Sequence, residues 1–170
     1  RGHQGFTAFY SSKGGADLES LGDINVPSPT PGTVAWKDSR YYVAYSFDHY
    51  AYQPAESPGE GLGVFGNIGV SDGNPNALRW SMLFGIGGRG LIPGRSRDNW
   101  GIGYYYDGLA QTLKDALAPA QSLRNEQGLE LFYNFALTPW CVLGLDLQVI
   151  RPALASATAV IPGMRMVMRF

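Results

Sequence analysis

The chain has 170 residues, a formal net charge of -1 and only 16% charged residues. Its 13 Lys and Arg residues are scattered, which argues against a nucleic-acid-binding protein, because neutralising phosphates requires a basic patch. No run approaches the ~20 apolar residues of a membrane-spanning helix. The 23 glycines, ten tyrosines, eight phenylalanines and four tryptophans favour strands and turns. The single cysteine, Cys141, excludes an internal disulfide and a thiolate metal cluster.

Apolar and polar residues alternate with a period of two in eight segments, which are separated by clusters of Gly, Pro, Asn and Asp. This pattern predicts an all-β protein built as an antiparallel meander. The predicted strands cover about residues 3–10, 39–52, 61–71, 77–88, 98–107, 126–137, 142–151 and 160–170.

Charged residues within the predicted strands fall opposite the continuous apolar face. A transmembrane barrel requires this segregation, because an Arg or Lys facing lipid at mid-depth costs ~2–4 kcal/mol. A soluble β-sandwich would also segregate its faces, so this pattern leaves both folds open. The charged residues concerned are Asp48, Arg79, Glu130, Asp146 and Arg165.

The last segment is typical of the closing strand of an outer-membrane β-barrel. Met164, Met166 and Met168 share one face with the terminal Phe170, and Arg165 lies on the other. The alternative is an ordinary half-buried edge strand. The chain also begins at Arg1 in what looks like the middle of a strand, so we expect a C-terminal piece of a longer exported polypeptide.

Loop lengths support the barrel. With Phe170 placed at the periplasmic end, the two longest connections, 11–38 and 108–125, both become extracellular, as in bacterial barrels. Within the second, leucines at helical spacing before Pro119 predict a short helix over residues 109–118. Residues 1–170 are therefore predicted to form one partial barrel domain. The other extracellular connections would be 72–76 and 152–159, and the periplasmic ones 53–60, 89–97 and 138–141.

The sequence contains short matches to catalytic and cofactor-binding motifs, but the residues around each match do not fit the motif. The segment Gly85–Gly90 fits G-x-G-x-x-G, but a dinucleotide site needs a helix next, and Pro93 follows instead. His3 and His49 lack metal-ligand spacing, and no serine stands in a nucleophile elbow. We therefore expect no enzyme activity, no metal and no cofactor.

In this order the segments resemble the carbohydrate-selective porins of the OprB type from Gram-negative outer membranes. The resemblance covers about residues 61–170, whereas residues 1–60 match only in general strand character. The segments that carry it are Gly66–Pro75, Gly90–Arg95 with Asp98, Trp100–Tyr105, Glu126–Tyr133, Leu137–Trp140, Asp146–Ile150 and the terminal strand.

The resemblance implies a transmembrane barrel of about sixteen strands that passes glucose and related monosaccharides without chemistry. This chain supplies about half of those strands, so the N-terminal half of the barrel is an expected partner. Eight strands closing alone would fill their interior with side chains. The resemblance also implies contact with outer-membrane lipid, and a terminal aromatic, Phe170, that the barrel-assembly machinery reads.

Two groups of residues are candidates for solute contact. The first would face the lumen, where polar side chains replace the water around sugar hydroxyls; alternatively, its members merely pair across neighbouring strands, most easily at Glu130, Asp146 and Arg165. The second surrounds a predicted periplasmic turn and forms either a solute exit or packing latch inside the barrel mouth or, as we favour, a structural turn whose arginines pair with Asp98 and nearby carboxylates. The lumenal group is Asp48, Arg79, Glu130, Asn134, Asp146, Gln148 and Arg165, and the turn group is Arg89, Arg95, Arg97 and Asp98.

Three functions follow from these observations. The first is a passive outer-membrane sugar channel, of which this chain is the C-terminal half. The second is a small outer-membrane barrel that acts as an anchor or surface-interaction protein without transport. The third is a soluble β-sandwich that binds carbohydrate.

Overall fold

The computed structural model describes residues 2–21, 34–57, 59–90, 92–118, 120–154 and 157–169. Within them the regular secondary structure is almost entirely β. The strands are β1 (Gly2–Ser11), β2 (Gly15–Ala16), β3 (Trp36–Lys37), β4 (Arg40–Tyr52), β5 (Gly61–Ser71), β6 (Leu78–Arg89), β7 (Asn99–Leu109), β8 (Glu126–Thr138), β9 (Cys141–Arg151) and β10 (Ala159–Met168); a 3₁₀ helix covers Leu18–Ser20 and the helix α1 covers Gln111–Leu117.

Eight strands form one antiparallel sheet in the order β1-β4-β5-β6-β7-β8-β9-β10. The predicted meander is therefore confirmed, with each strand beside its successor in the sheet. The sheet is open, since β1 and β10 each pair on one side only. The small ribbon of β2 and β3 was not predicted, and it lies within the long connection that follows β1.

The connections alternate between the two ends of the sheet, as an antiparallel meander requires. At one end, which we call the long-loop end, lie the described residues of the connections 12–39, 72–77, 110–125 and 152–158. At the other, the short-turn end, lie the described residues of the connections 53–60, 90–98 and 139–140. Both of the longest connections fall at the same end, and α1 forms within the predicted helical stretch.

The strand register gives the sheet two faces of different chemistry, because residues directly opposite each other on paired strands share a face. The apolar face carries large side chains on every strand, such as Phe84, Ile102, Leu131 and Leu147. Charged strand residues lie on the polar face apart from Arg151, the last residue of β9. The polar face includes Asp48, Arg89, Asp107, Glu126, Glu130, Asp146 and Arg165.

The apolar face of this sheet is not covered by another layer of the described residues. Phe6 is 82% exposed and Met164 is 76% exposed, whereas the buried hydrophobic residues are mostly small. A sandwich needs a second sheet packed on the first, and the described part of the chain forms no such sheet. The β-sandwich hypothesis is therefore wrong for this fold. Neither helix in the described ranges is long and apolar enough to cross a membrane.

Candidate solute-binding surface

A cleft of about 480 Å³ lies on the polar face towards the short-turn end, over the strands β7 to β10. Five of the predicted lumenal residues line it together. Their grouping follows from the register, since Gln148 lies opposite Glu130, and Arg165 lies opposite Gly144 beside Asn134. We call the following residues the polar cluster: Asn99, Glu130, Phe132, Asn134, Asp146, Gln148 and Arg165.

Two hydrogen bonds connect members of the polar cluster. The Asn134 side-chain Nδ2 donates to Asn99 Oδ1 at 2.6 Å, which links β8 to β7. Gln148 Nε2 donates a long bond of 3.5 Å to Asp146 Oδ2 within β9. The amides of Asn99 and Asn134 are therefore joined by a short hydrogen bond, whereas the side chains of Glu130 and Arg165 make no hydrogen bond within the described residues.

The ion-pair ladder expected among Glu130, Asp146 and Arg165 does not form. The salt bridges found among the described residues involve other side chains. The register explains this, because Glu130 faces Gln148, while Arg165 faces Gly144. The carboxylate of Glu130 and the guanidinium of Arg165 thus remain exposed to solvent, without a partner in the part of the chain that the structure describes.

Glycines opposite the polar cluster determine how its side chains lie. A Cβ built on Gly101 would meet Phe132 Cε1 at 2.6 Å, so the ring lies across that glycine. In the same way Asn134 covers Gly144, and Asp146 covers Gly163. Because glycine has no side chain, these residues can lie along the sheet instead of standing away from it.

Two of the predicted lumenal residues lie outside the polar cluster. Asp48, on β4, is separated from Glu130 by the strands β5, β6 and β7 and contacts His3 Nδ1 at 3.0 Å. Arg79 lies at the long-loop end, where its Nη1 donates to the Ser71 carbonyl at 2.5 Å. The sequence pattern placed both on the correct face but not in one site.

A second polar group, which the sequence interpretation missed, lies on the polar face at the long-loop end. Asp107 on β7 is directly opposite Glu126 on β8. The Tyr105 hydroxyl donates to Glu126 Oε1 at 3.0 Å, and the Ala153 N–H donates to Oε2 at 3.2 Å. Two carboxylates therefore adjoin each other on this wall, and only one of them is held by hydrogen bonds.

The turn at residues 90–98 is held together by Asp98, which is 1% exposed. Its carboxylate accepts from Arg95 Nε at 2.5 Å and Nη2 at 3.1 Å, from the Tyr133 hydroxyl at 2.8 Å and from the Ala136 N–H at 2.9 Å. The Arg95 guanidinium also lies 5.6 Å from the centre of the Phe135 ring. The structural-turn interpretation thus holds at Arg95, while Arg89 and Arg97 are exposed and make no ion pair within the described ranges.

The hydrogen bonds at Asp98 outweigh the effect of its burial. Burial raises the pKa of this carboxyl, but the Arg95 guanidinium, the Ala136 N–H and the Tyr133 hydroxyl together hold the pKa below its ordinary value of 3.8. Asp98 is therefore an ionised, fully bonded structural carboxylate. It has no free oxygen lone pair directed at a solute.

Three connections meet at the long-loop end. Asn74 Nδ2 donates to Asp17 Oδ1 at 2.7 Å, while Asn74 Oδ1 accepts from the Leu18 N–H at 3.0 Å. The hydrogen bond from Asn74 lowers the pKa of Asp17, with a further contribution from Lys37. The Thr112 hydroxyl of α1 donates to the Gly73 carbonyl at 3.2 Å. The long connection after β1, the β5–β6 turn and the α1 segment therefore support one another.

No group of three or more His, Cys, Asp or Glu side chains within the described ranges is arranged to hold a metal ion. Phe170, the predicted assembly signal, lies outside the described residues.

The model of the carbohydrate-selective porin family, OprB, matches residues 1–170. The chain belongs to this family. The match extends beyond residues 61–170, where the sequence segments showed the resemblance, and includes the first strands of the sheet.

The OprB fold is also found in a solved structure. OprB from Pseudomonas putida, in its high-pH structure, superposes with a TM-score of 0.86 at 19% sequence identity. The alignment covers 98% of this chain and 44% of that chain, so this OprB-family chain spans less than half the length of that protein. A search of curated proteins found no match.

Three polar-face residues of this OprB-family chain were not among the candidates chosen from the sequence. Asn99 begins β7 and Asp107 lies two residues before its end, and the polar-face positions between them are glycine and tyrosine. Phe132 interrupts the polar side of β8 between Glu130 and Asn134. The sequence did contain a signal for Phe132, because it is an aromatic residue between two polar residues, Glu130 and Asn134, on the polar side of the strand.

Proposed function

We propose that this chain forms part of the wall of a passive outer-membrane channel for neutral monosaccharides such as glucose. The polar face would line the aqueous lumen, and the apolar face would contact lipid. The observation that carries the proposal is the polar cluster, which presents the unpaired Glu130 and Arg165 on one side of a sheet whose other side is apolar. Such groups can replace the water around sugar hydroxyls as a sugar passes.

The open edges of the sheet support a larger barrel as the working form. Lipid-exposed edge strands leave backbone N–H and C=O groups unsatisfied, so a barrel must close. We propose that β1 and β10 pair with further strands of the complete native polypeptide, which the barrel-assembly machinery inserts into the outer membrane. In that arrangement the long-loop end would be extracellular and the short-turn end periplasmic.

Charge placement favours transport over the alternative of a small barrel that serves only as an anchor. The interior of an eight-stranded barrel is filled by packed side chains, and such an interior would bury Glu130 and Arg165, which have no ion-pair partner in the described part of the sheet. Leaving charged groups unpaired in a filled interior is strongly unfavourable. A wide lumen would leave both groups hydrated.

Swelling of proteoliposomes tests this proposal. The complete native polypeptide that contains this chain is reconstituted, and the vesicles are placed in isosmotic glucose. We expect swelling well above that of protein-free vesicles, and no swelling in a dextran that is too large for any porin. Glucose entry equal to that of protein-free vesicles would overturn the proposal and favour the anchor.

A further inference from the structure

We propose that Phe132 is the stacking platform of a subsite for a pyranose ring, within the polar cluster. The inference rests on the proposed function and deepens it, because it names the ring that binds and the side chain that recognises it. It depends on the position of one aromatic ring, on the groups around that ring and on a second phenylalanine that lies in a smaller cleft.

The Phe132 ring lies along the wall of the sheet. Its atoms Cε1 and Cζ lie 2.6 and 2.8 Å from where a Cβ of Gly101 would stand. Gly101 itself is buried, whereas Phe132 is half-buried and lines the cleft. The Cε1–Cζ edge of the ring therefore lies against the glycine, and the half-buried ring remains accessible from the cleft that it lines.

Both hydrogen-bond donors and hydrogen-bond acceptors surround this ring. Glu130 and Asn134 flank Phe132 on its own strand, and Asp146 lies directly opposite on β9. Carboxylates accept hydrogen bonds, and the Arg165 guanidinium donates them. A pyranose presents hydroxyls around its rim and C–H groups on its faces, so it matches an aromatic platform with a rim of donors and acceptors.

The size of the cleft agrees with a single sugar ring. Small-molecule sites typically measure roughly 300–1,000 Å³, and this cleft lies at the small end of that range at about 480 Å³. The unpaired state of Glu130 and Arg165 means that a sugar need not break a hydrogen bond within the protein to reach them. Binding would be weak and reversible, as passage through a channel requires.

Phe65 provides an internal comparison. It also lies on the polar face, is half-buried and covers a glycine, Gly85, on the adjacent strand. Its opposite neighbour on β4 is Asp48, whose carboxylate is occupied by His3. Phe65 shares a cleft at the short-turn end with Glu60 and Arg89, but that cleft measures about 200 Å³, which is less than half the size of the cleft at Phe132 and below the usual size of a small-molecule site.

The two phenylalanines make a matched pair of variants in the complete native polypeptide. Phe132→Leu and Phe65→Leu both keep an apolar side chain over a glycine and remove the aromatic face. Each is reconstituted in planar bilayers, and the concentration for half-block of the ionic current is measured for glucose and for sorbitol, an open-chain polyol of similar size without a ring.

We expect wild-type protein to be blocked at lower concentrations of glucose than of sorbitol. Phe132→Leu should weaken the block by glucose about three- to tenfold, the usual value of an aromatic stacking contact, and leave sorbitol unchanged. Phe65→Leu should change neither, and Phe132→Tyr should retain the preference. Because Glu130 is exposed and makes no contact that a substitution would break, Glu130→Gln tests the rim even if Phe132→Leu fails to assemble, and it should weaken the block by glucose.

Failure of this inference differs from failure of the proposed function. Three results would overturn the subsite without contradicting the channel. They are an unchanged preference for glucose over sorbitol in Phe132→Leu, an equal loss of glucose block in both leucine variants, and passage of sugars through wild-type protein without preference. The absence of any sugar passage or block in wild-type protein would overturn both.

Discussion

The Tyr133 hydroxyl donates a hydrogen bond to the buried carboxylate of Asp98 at 2.8 Å, which joins the strand β8 to the turn that precedes β7. Asp98 also binds Arg95 and the Ala136 N–H, so one side chain connects three points at the short-turn end of the sheet. The neighbouring strands β7 and β8 carry Asn99, Phe132 and Asn134. The Asp98 network therefore supports one end of the polar cluster without contacting a solute.

Replacing Asp98 should destabilise the barrel. In Asp98→Asn the Arg95 guanidinium loses its charged partner, and hydrogen bonds to charged groups contribute roughly 1.5–3 kcal/mol each. We expect a loss of that order in the free energy of unfolding, measured by urea denaturation in lipid vesicles. Ser96→Ala, in the same exposed turn, is the matched control and should unfold like wild-type protein. Equal stability of Asp98→Asn and Ser96→Ala would contradict the structural role of Asp98.

The contribution of Asp98 should depend on pH. Its folded-state pKa lies below the ordinary value of 3.8, so the stabilisation is fully present above that value and is lost as pH falls through the lower folded-state pKa. The stability difference between wild-type protein and Asp98→Asn should thus be constant near neutral pH and shrink in strong acid. Unfolding measured across pH checks this, and a difference that grows on acidification would be inconsistent with an ionised Asp98.

The Asn74 side chain should hold the long connection after β1 in place. It makes two hydrogen bonds to that segment, at Asp17 and Leu18, and neutral hydrogen bonds contribute about 0.5–1.5 kcal/mol each. In Asn74→Ala we expect amide exchange near residues 15–20 to quicken by about tenfold, which corresponds to ~1.4 kcal/mol. Exchange in the strands should not change. Ser12→Ala, in the same connection, is the control, and equal exchange in the two variants would refute this role of Asn74.

The carboxylates at the long-loop end should make the channel conduct cations in preference to anions. Asp107 and Glu126 face each other on the polar face, and a pore wall of one charge sign concentrates the opposite ion. In the double variant Asp107→Asn with Glu126→Gln, we expect the reversal potential across a KCl gradient to shift towards lower cation preference. Arg151→Gln removes a charge on the apolar side of a strand end and should leave the potential unchanged. A double variant with the wild-type reversal potential would show that these carboxylates do not face the ion path.

The strands were predictable because their signal is local. Alternation with a period of two, bounded by clusters such as Asp72–Pro75, located the eight strands of the main sheet to within a few residues. The ribbon of β2 and β3 escaped prediction because it pairs only Gly15 with Lys37 and Ala16 with Trp36. Two residues are too few to establish a period.

Most residues of the polar cluster could be predicted from the sequence, but the contacts between them could not. The alternation placed Glu130, Asp146 and Arg165 on one face, and the register determined which residues they oppose. The expected ladder failed because Arg165 lies opposite a glycine instead of a carboxylate. Phe132 was missed for a related reason, since the position of its ring depends on Gly101, a distant residue that the register places opposite it.

Cysteine labelling shows directly whether the polar face of the sheet contacts water. Single cysteines are introduced on β9 at Asp146, Gln148, Leu145 and Leu147, in a Cys141→Ala background of the complete native polypeptide in lipid vesicles. We expect a membrane-impermeant thiol reagent to label positions 146 and 148 and to spare 145 and 147, and glucose to slow the labelling at 146. Equal labelling at all four positions, or labelling confined to the leucine positions, would show that the polar face does not line the lumen.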